Sequence, residues 1–113
     1  MKISFDSIGE KLATFAAAEG LAEGAPCKVT ASGTVGACSA GDKFCGVSGS
    51  VRAGAAAVVL GGLAELPYTG TAPALGWTKL AADGAGGVKA ADSGREVLVV
   101  TVDTGAKTAG LFL

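Results

Sequence analysis

The segment that decides the fold is residues 96–102, EVLVVTV, in which four valines and one leucine leave almost no polar gap. β-Branched residues favour a strand, and a nearly continuous apolar run predicts that both faces of that strand are buried. Residues 104–107 follow as a turn, and residues 108–113 return as a last strand with an apolar end. We therefore expect residues 96–102 to lie in the centre of a sheet.

Two hairpins are predicted on the amino-terminal side of this strand. Residues 27–31 and 34–38 flank Ser32-Gly33, a connection in which glycine takes positive φ at little cost. Residues 83–87, DGAGG, begin with an Asp-Gly step, which is a strong turn signal. They predict that residues 75–82 pair with residues 88–91.

The middle of the chain predicts further short strands. Residues 43–52 follow a turn at residues 40–42 and contain glycines that indicate a bulge or a bend in a barrel. Residues 55–60 and 63–68 are apolar runs separated by two glycines, and Pro67 indicates a strand end or a sheet edge. Residues 69–73 are predicted to form a loop.

The first residues are ambiguous between helix and strand over residues 8–18. Ile8, Leu12 and Phe15 share one helical face, whereas Leu12 and Thr14 alternate as in a strand. Two glycines follow closely at residues 20 and 24, and we predict a strand over residues 11–17. Residues 1–10 are predicted to be an extended, flexible N-terminal arm that orders on a partner.

Length and composition predict a single domain over residues 1–113. Apolar residues make up 50% of the chain, but many are alanine and aromatic residues make up only 5%, so the core must be thin. Small side chains bury little area, and burial against sister subunits would add stability. The expected fold is all-β, a small antiparallel β-barrel or sandwich with the N-terminal arm.

The charges argue against nucleic acid and membrane as partners. Nine Lys and Arg against ten Asp and Glu give a net charge of −1, scattered along the chain, so no basic stripe is present. Residues 53–64, which follow Arg52, form an uncharged and largely apolar stretch. This stretch contains three glycines and is too short to span a bilayer. Asp6 and Glu10 interrupt the place of a signal peptide's apolar run, so no targeting segment is expected.

The sequence predicts no catalytic residues, no cofactor and no metal site. It contains no histidine, which removes the commonest general base and metal ligand. No glycine-rich phosphate loop is predicted either, since the order of residues 70–79 is wrong for one. The remaining candidates for acid or base chemistry are carboxylates beside turns or on polar strand faces, for which we predict structural roles: Glu65, Asp83, Asp92, Glu96 and Asp103.

Three cysteines, Cys27, Cys38 and Cys45, match neither a zinc site nor a CxxC redox motif. We predict that they act as small apolar side chains. A Cys38–Cys45 disulfide stays open as an alternative if their strands lie side by side.

Two aromatic residues flank the segment of residues 69–76. Tyr68 and Trp77 lie on either side of residues 69–76, where they form either an aromatic recognition patch or part of the core. Core packing is the favoured interpretation for the pair. Trp77, followed by Thr78 and Lys79, fits a half-buried strand, so its ring can face either the core or the surface.

Six segments of strand and turn residues follow one another in the last two thirds of the chain: residues 40–47 (AGDKFCGV), 58–62 (VVLGG), 65–68 (ELPY), 68–77 (YTGTAPALGW), 80–89 (LAADGAGGVK) and 97–103 (VLVVTVD). In their order, these segments resemble the small structural proteins of phages and prophages known as capsid decoration, or cement, proteins. The resemblance covers about two thirds of the chain.

The resemblance implies a β-barrel or β-tulip domain on the capsid surface. Its partners would be the major capsid protein and its own copies, as homotrimers, and its location before assembly would be the cytoplasm of the bacterial host. The alternative is a stand-alone β-barrel module that binds a glycan or a protein. An enzyme is the least favoured class.

Overall fold

The computed structural model describes residues 11–113, and every regular element in this part of the chain is a β-strand. The predicted all-β class is confirmed. The strands are β1 (Lys11–Ala17), β2 (Pro26–Ala31), β3 (Thr34–Ala37), β4 (Gly46–Arg52), β5 (Ala55–Gly61), β6 (Leu63–Pro67), β7 (Gly76–Ala82), β8 (Val88–Ala90), β9 (Arg95–Asp103) and β10 (Thr108–Phe112). The first five form a closed barrel and the last five form a second sheet.

The barrel has the strand order β1-β3-β2-β4-β5. The predicted hairpin through Ser32-Gly33 is confirmed, with Gly33 at φ 68°. The predicted bulge is also present, because the β4–β5 register shifts between Ser48 and Val51. One pair, β1 with β3, is parallel, which an all-antiparallel barrel would not contain. The cause is the strand number, since directions cannot alternate all the way around a ring of five.

The strand prediction for residues 11–17 is confirmed. β1 pairs with β5 from Lys11 opposite Gly61 to Ala16 opposite Ala55, and these partners satisfy its backbone hydrogen bonds. This settles the helix-or-strand alternative for residues 11–17. The predicted N-terminal arm, residues 1–10, lies outside the described residues.

The second sheet has the order β6-β10-β9-β7-β8, and its neighbouring strands are antiparallel. β9 lies in the centre and β7 pairs with β8 across residues 83–87, as predicted. β6 is an edge strand that ends at Pro67, which also agrees with the prediction. Just beyond it, Tyr68 forms a parallel bridge with Val88, so the end of β6 meets β8 and the sheet curls around its core.

Two clusters of buried side chains form the core. The barrel cluster consists of Leu21, Cys27, Val35, Ala56 and Val58. The cluster of the second sheet consists of Phe44, Val47, Leu66, Tyr68, Leu80, Val88, Val97, Val99, Ala109 and Leu111. Phe44 and Val47 belong to the barrel half of the chain, so the segment around residue 44 packs into the second sheet.

Two details of the strand predictions were wrong. The strand expected from residue 43 begins at Gly46, because the preceding residues leave the barrel wall to place Phe44 in the other cluster. β9 is fully buried on only one face, through Val97 and Val99. Leu98 on its other face is only half-buried within the described part of the chain. Within residues 11–113, no helix has the length and apolar character needed to cross a bilayer.

Candidate interaction surface

The outer face of the second sheet carries a row of apolar side chains. Trp77 in β7 is the Cα partner of Leu98 in β9. Leu98 is in turn the partner of Phe112 in β10, which is the partner of Leu63 in β6. Directly opposed residues of neighbouring strands share a face. We call these four residues, Leu63, Phe112, Leu98 and Trp77, the apolar strip.

Strand alternation explains why the apolar strip faces outward. The residues beside Leu98, Val97 and Val99, are buried in the core, and so is Leu111 beside Phe112. Successive side chains of a strand point to opposite faces, so Leu98 and Phe112 must point away from the core. The strip is thus a consequence of apolar residues at positions that alternation assigns to the surface.

Two members of the strip are strongly exposed. Trp77 exposes 69% of its surface and Phe112 exposes 42%. Leu75, just before β7, is also 69% exposed, whereas Leu63 and Leu98 are half-buried. Single exposed apolar residues are ordinary, but a row that crosses four strands is a surface suited to a partner.

An open depression of about 520 Å³ begins where the strip ends at Trp77. β7 supplies Trp77 and Lys79, β9 supplies Glu96, and the turn between β8 and β9 supplies Asp92. The full lining is Trp77, Thr78, Lys79, Ala90, Ala91, Asp92 and Glu96. The depression therefore combines one large aromatic side chain with three charged groups.

No ion pair or side-chain hydrogen bond within residues 11–113 engages the charged groups of the depression. Lys79 and Glu96 are direct cross-strand partners, yet the ion pair found in the described part of the chain joins Lys28 to Asp42 instead. Neither Lys79, Asp92 nor Glu96 makes a side-chain hydrogen bond to another of residues 11–113. Within the described part of the chain, their donors and acceptors are therefore open to a ligand.

The structure separates the two aromatic residues that flank the loop. Tyr68 is 4% exposed and belongs to the core, because its bridge with Val88 turns it inward. Trp77 lies on the outer face. Core packing is therefore confirmed for Tyr68, whereas Trp77, for which the sequence leaves core and surface both open, lies on the surface, and the pair does not form one patch.

The five candidate carboxylates are dispersed. Asp83 accepts hydrogen bonds from the N–H groups of Ala85 and Gly87 at 2.7 and 3.0 Å, and Asp103 accepts similar bonds within its own turn. Their predicted structural roles are confirmed. Asp92 and Glu96 line the depression together with Lys79, which sequence reasoning missed. Within residues 11–113, no three potential metal ligands gather.

The three cysteines are free thiols that pack as apolar side chains. Burial raises the pKa of Cys27 to about 12, with a further contribution from Cys45. Burial, followed by the charge of Asp42, raises the pKa of Cys38 to about 11. Cys38 follows β3 and Cys45 precedes β4, which are not neighbours in the barrel. At neutral pH, Cys27 and Cys38 are therefore protonated and weakly nucleophilic.

The apolar strip was not foreseen from the sequence. The sequence predicts that Leu98 is buried within the strand and that Phe112 belongs to an apolar carboxyl end, and neither prediction indicates a shared surface. The strand register is needed to identify the strip, because alternation alone does not say which residues of neighbouring strands lie opposite each other. Comparison of the chain with protein-family models finds no match, and a search of curated proteins also finds none.

Proposed function

We propose that this protein is a non-catalytic structural subunit of a phage or prophage particle, a decoration or cement protein that stabilises the head. Its partners are the major capsid protein and its own copies, arranged as trimers on the capsid surface. The protein is made in the cytoplasm of the bacterial host before assembly.

The apolar strip is the observation that carries this proposal. Complete burial of one large apolar side chain contributes about 1.5–3 kcal/mol. Trp77 and Phe112 have the most surface left to bury, and aromatic residues are enriched among the anchors of protein interfaces. A neighbouring subunit on the strip would cover the one apolar row that strand pairing leaves on the outer face of the second sheet.

Composition and resemblance support the same proposal. Much of the apolar content of the chain is alanine, so contacts between subunits would add apolar burial that the chain lacks by itself. A net charge of −1 allows close packing of identical copies without strong repulsion. The segments quoted above resemble capsid decoration proteins over about two thirds of the chain.

Sedimentation of the full chain over a wide concentration range tests the self-association. We expect a trimer that dissociates on dilution, and Phe112→Ser should weaken association at least tenfold. Val29→Ser is the matched control, because Val29 is 57% exposed but lies on β2 of the barrel, away from the strip. It should leave the trimer intact.

Binding to capsids tests the second half of the proposal. The full chain and both variants are sedimented with shells assembled from the major capsid protein encoded in the same genome. Wild type and Val29→Ser should pellet with the shells at a fixed ratio, and Phe112→Ser should bind less. A chain that stays monomeric at every concentration and does not pellet with the shells would overturn the proposal.

A further inference from the structure

The depression beside Trp77 has the composition of a site for a small polar ligand. Its volume of about 520 Å³ lies in the range of roughly 300–1,000 Å³ that is usual for ligand sites. Such sites combine an apolar or aromatic surface with a few polar groups that fix the orientation of the ligand. Here the aromatic surface is Trp77 and the polar groups are Lys79, Asp92 and Glu96.

The three polar groups offer both kinds of hydrogen bond. The ammonium group of Lys79 supplies donors only, whereas the carboxylates of Asp92 and Glu96 supply acceptors only. Bonds to charged groups are about twice as strong as bonds between neutral groups. A ligand with several hydroxyl groups satisfies this set, because each hydroxyl both donates and accepts.

Other ligand classes fit the depression less well. Two carboxylates against one ammonium group give it a net negative charge, which repels phosphates and therefore nucleic acid. Quaternary ammonium ligands are held by cages of several aromatic rings, and Trp77 is the single aromatic residue of the lining. A wholly apolar ligand would leave the three charged groups without partners.

We propose that this depression binds a neutral saccharide. The apolar C–H face of a sugar ring lies against the indole of Trp77, and the hydroxyl groups at its edge bond to Lys79, Asp92 and Glu96. This inference goes beyond the structural role. Trp77 belongs to both the apolar strip and the depression, so the saccharide binds the dissociated subunit, which contains the whole depression.

Tryptophan fluorescence measures binding directly, because Trp77 is the only tryptophan of the chain. The full-length protein is titrated with neutral hexasaccharides of glucose, mannose, galactose, xylose and N-acetylglucosamine. We expect a saturable change in fluorescence with at least one of them. Glu96→Gln and Asp92→Asn should each weaken that binding at least fivefold, and the double variant at least twentyfold.

Glu65→Gln is the control for these variants. Glu65 is an exposed carboxylate on β6, at the opposite edge of the same sheet, and it should leave saccharide binding unchanged. Far-UV circular dichroism of each variant shows that lost binding is not lost folding. Calorimetric titration of Trp77→Ala, which lacks the fluorophore, should show no binding.

Two results would overturn the inference. One is the absence of a saturable signal with all five saccharides, and the other is binding that survives both Trp77→Ala and the double carboxylate variant. Phe112→Ser separates this inference from the structural role. It should weaken self-association at least tenfold but retain saccharide binding, whereas Glu96→Gln should weaken saccharide binding at least fivefold and leave self-association unchanged.

Discussion

At the scale of single residues, close backbone approach decides where glycine is required. Gly46 opens β4 beside β5, and a Cβ atom there would overlap the carbonyl oxygen of Val59 and come within 2.9 Å of Val58 Cγ1. Backbone atoms cannot rotate away as the end of a side chain can. The barrel wall closes at this point because residue 46 has no side chain.

Gly46→Ala should therefore destabilise the protein by about 1–3 kcal/mol, the usual cost of forcing atoms into a packed interior. Gly105→Ala is the matched control, because a Cβ atom at residue 105 would meet only Asp103 Oδ1, at 3.4 Å. It should change the free energy of unfolding by less than about 0.5 kcal/mol. Urea denaturation measures both, and equal values for the two variants would contradict the argument.

At the scale of elements, the β7–β8 hairpin depends on the side chain of Asp83. One carboxylate oxygen accepts hydrogen bonds from two backbone N–H groups of the turn, at Ala85 and Gly87. Gly84 and Gly86 both have positive φ, which glycine adopts without strain. The turn thus holds the short strand β8 against β7, and β8 leads into the turn that carries Asp92.

Asp83→Ala should lower the free energy of unfolding by about 1–3 kcal/mol, since two hydrogen bonds to a charged group are lost, one of them partly buried. Glu19→Ala is the control, because Glu19 is an exposed acidic residue that also precedes a glycine in a turn but makes no such bonds. It should be nearly neutral. If chemical denaturation gives the two variants the same stability, the carboxylate does not hold the hairpin.

At the scale of the whole molecule, the segment between β3 and β4 joins the barrel to the second sheet. Phe44 is 1% exposed within the second cluster, and the guanidinium carbon of Arg95 lies 5.5 Å from the centre of its ring. Arg95 also donates a hydrogen bond to the carbonyl of Cys45 at 3.1 Å. On the same segment, Asp42 and Gly41 exchange backbone hydrogen bonds with Ala82, both at 2.9 Å.

Phe44→Ala should cost about 3–5 kcal/mol, as is usual for a buried phenylalanine. In the wild type, Trp77 fluorescence and far-UV circular dichroism should report one denaturation midpoint, because the joining segment couples the two halves. Val29→Ala is the control, because Val29 is 57% exposed on β2, and it should cost less than about 1 kcal/mol. Separate midpoints in the wild type, or equal costs for the two variants, would contradict this coupling.

The sequence by itself determined the local structure. Strand positions, both hairpins, the bulge in β4 and the central place of β9 follow from alternation, β-branched residues and turn glycines. These signals act between residues close in the chain, so they survive without knowledge of the fold. The structural roles of Asp83 and Asp103 belong to the same class, because each bonds within its own turn.

Only the tertiary structure decided which residues of neighbouring strands lie opposite each other. The parallel β1–β3 pair follows from closing five strands into a ring. Tyr68 is buried and Trp77 is exposed because each residue pairs with a different strand. The apolar strip and the depression likewise join residues from distant parts of the chain. The physical reason is that register and strand order are set by long-range pairing, which local periodicity does not specify.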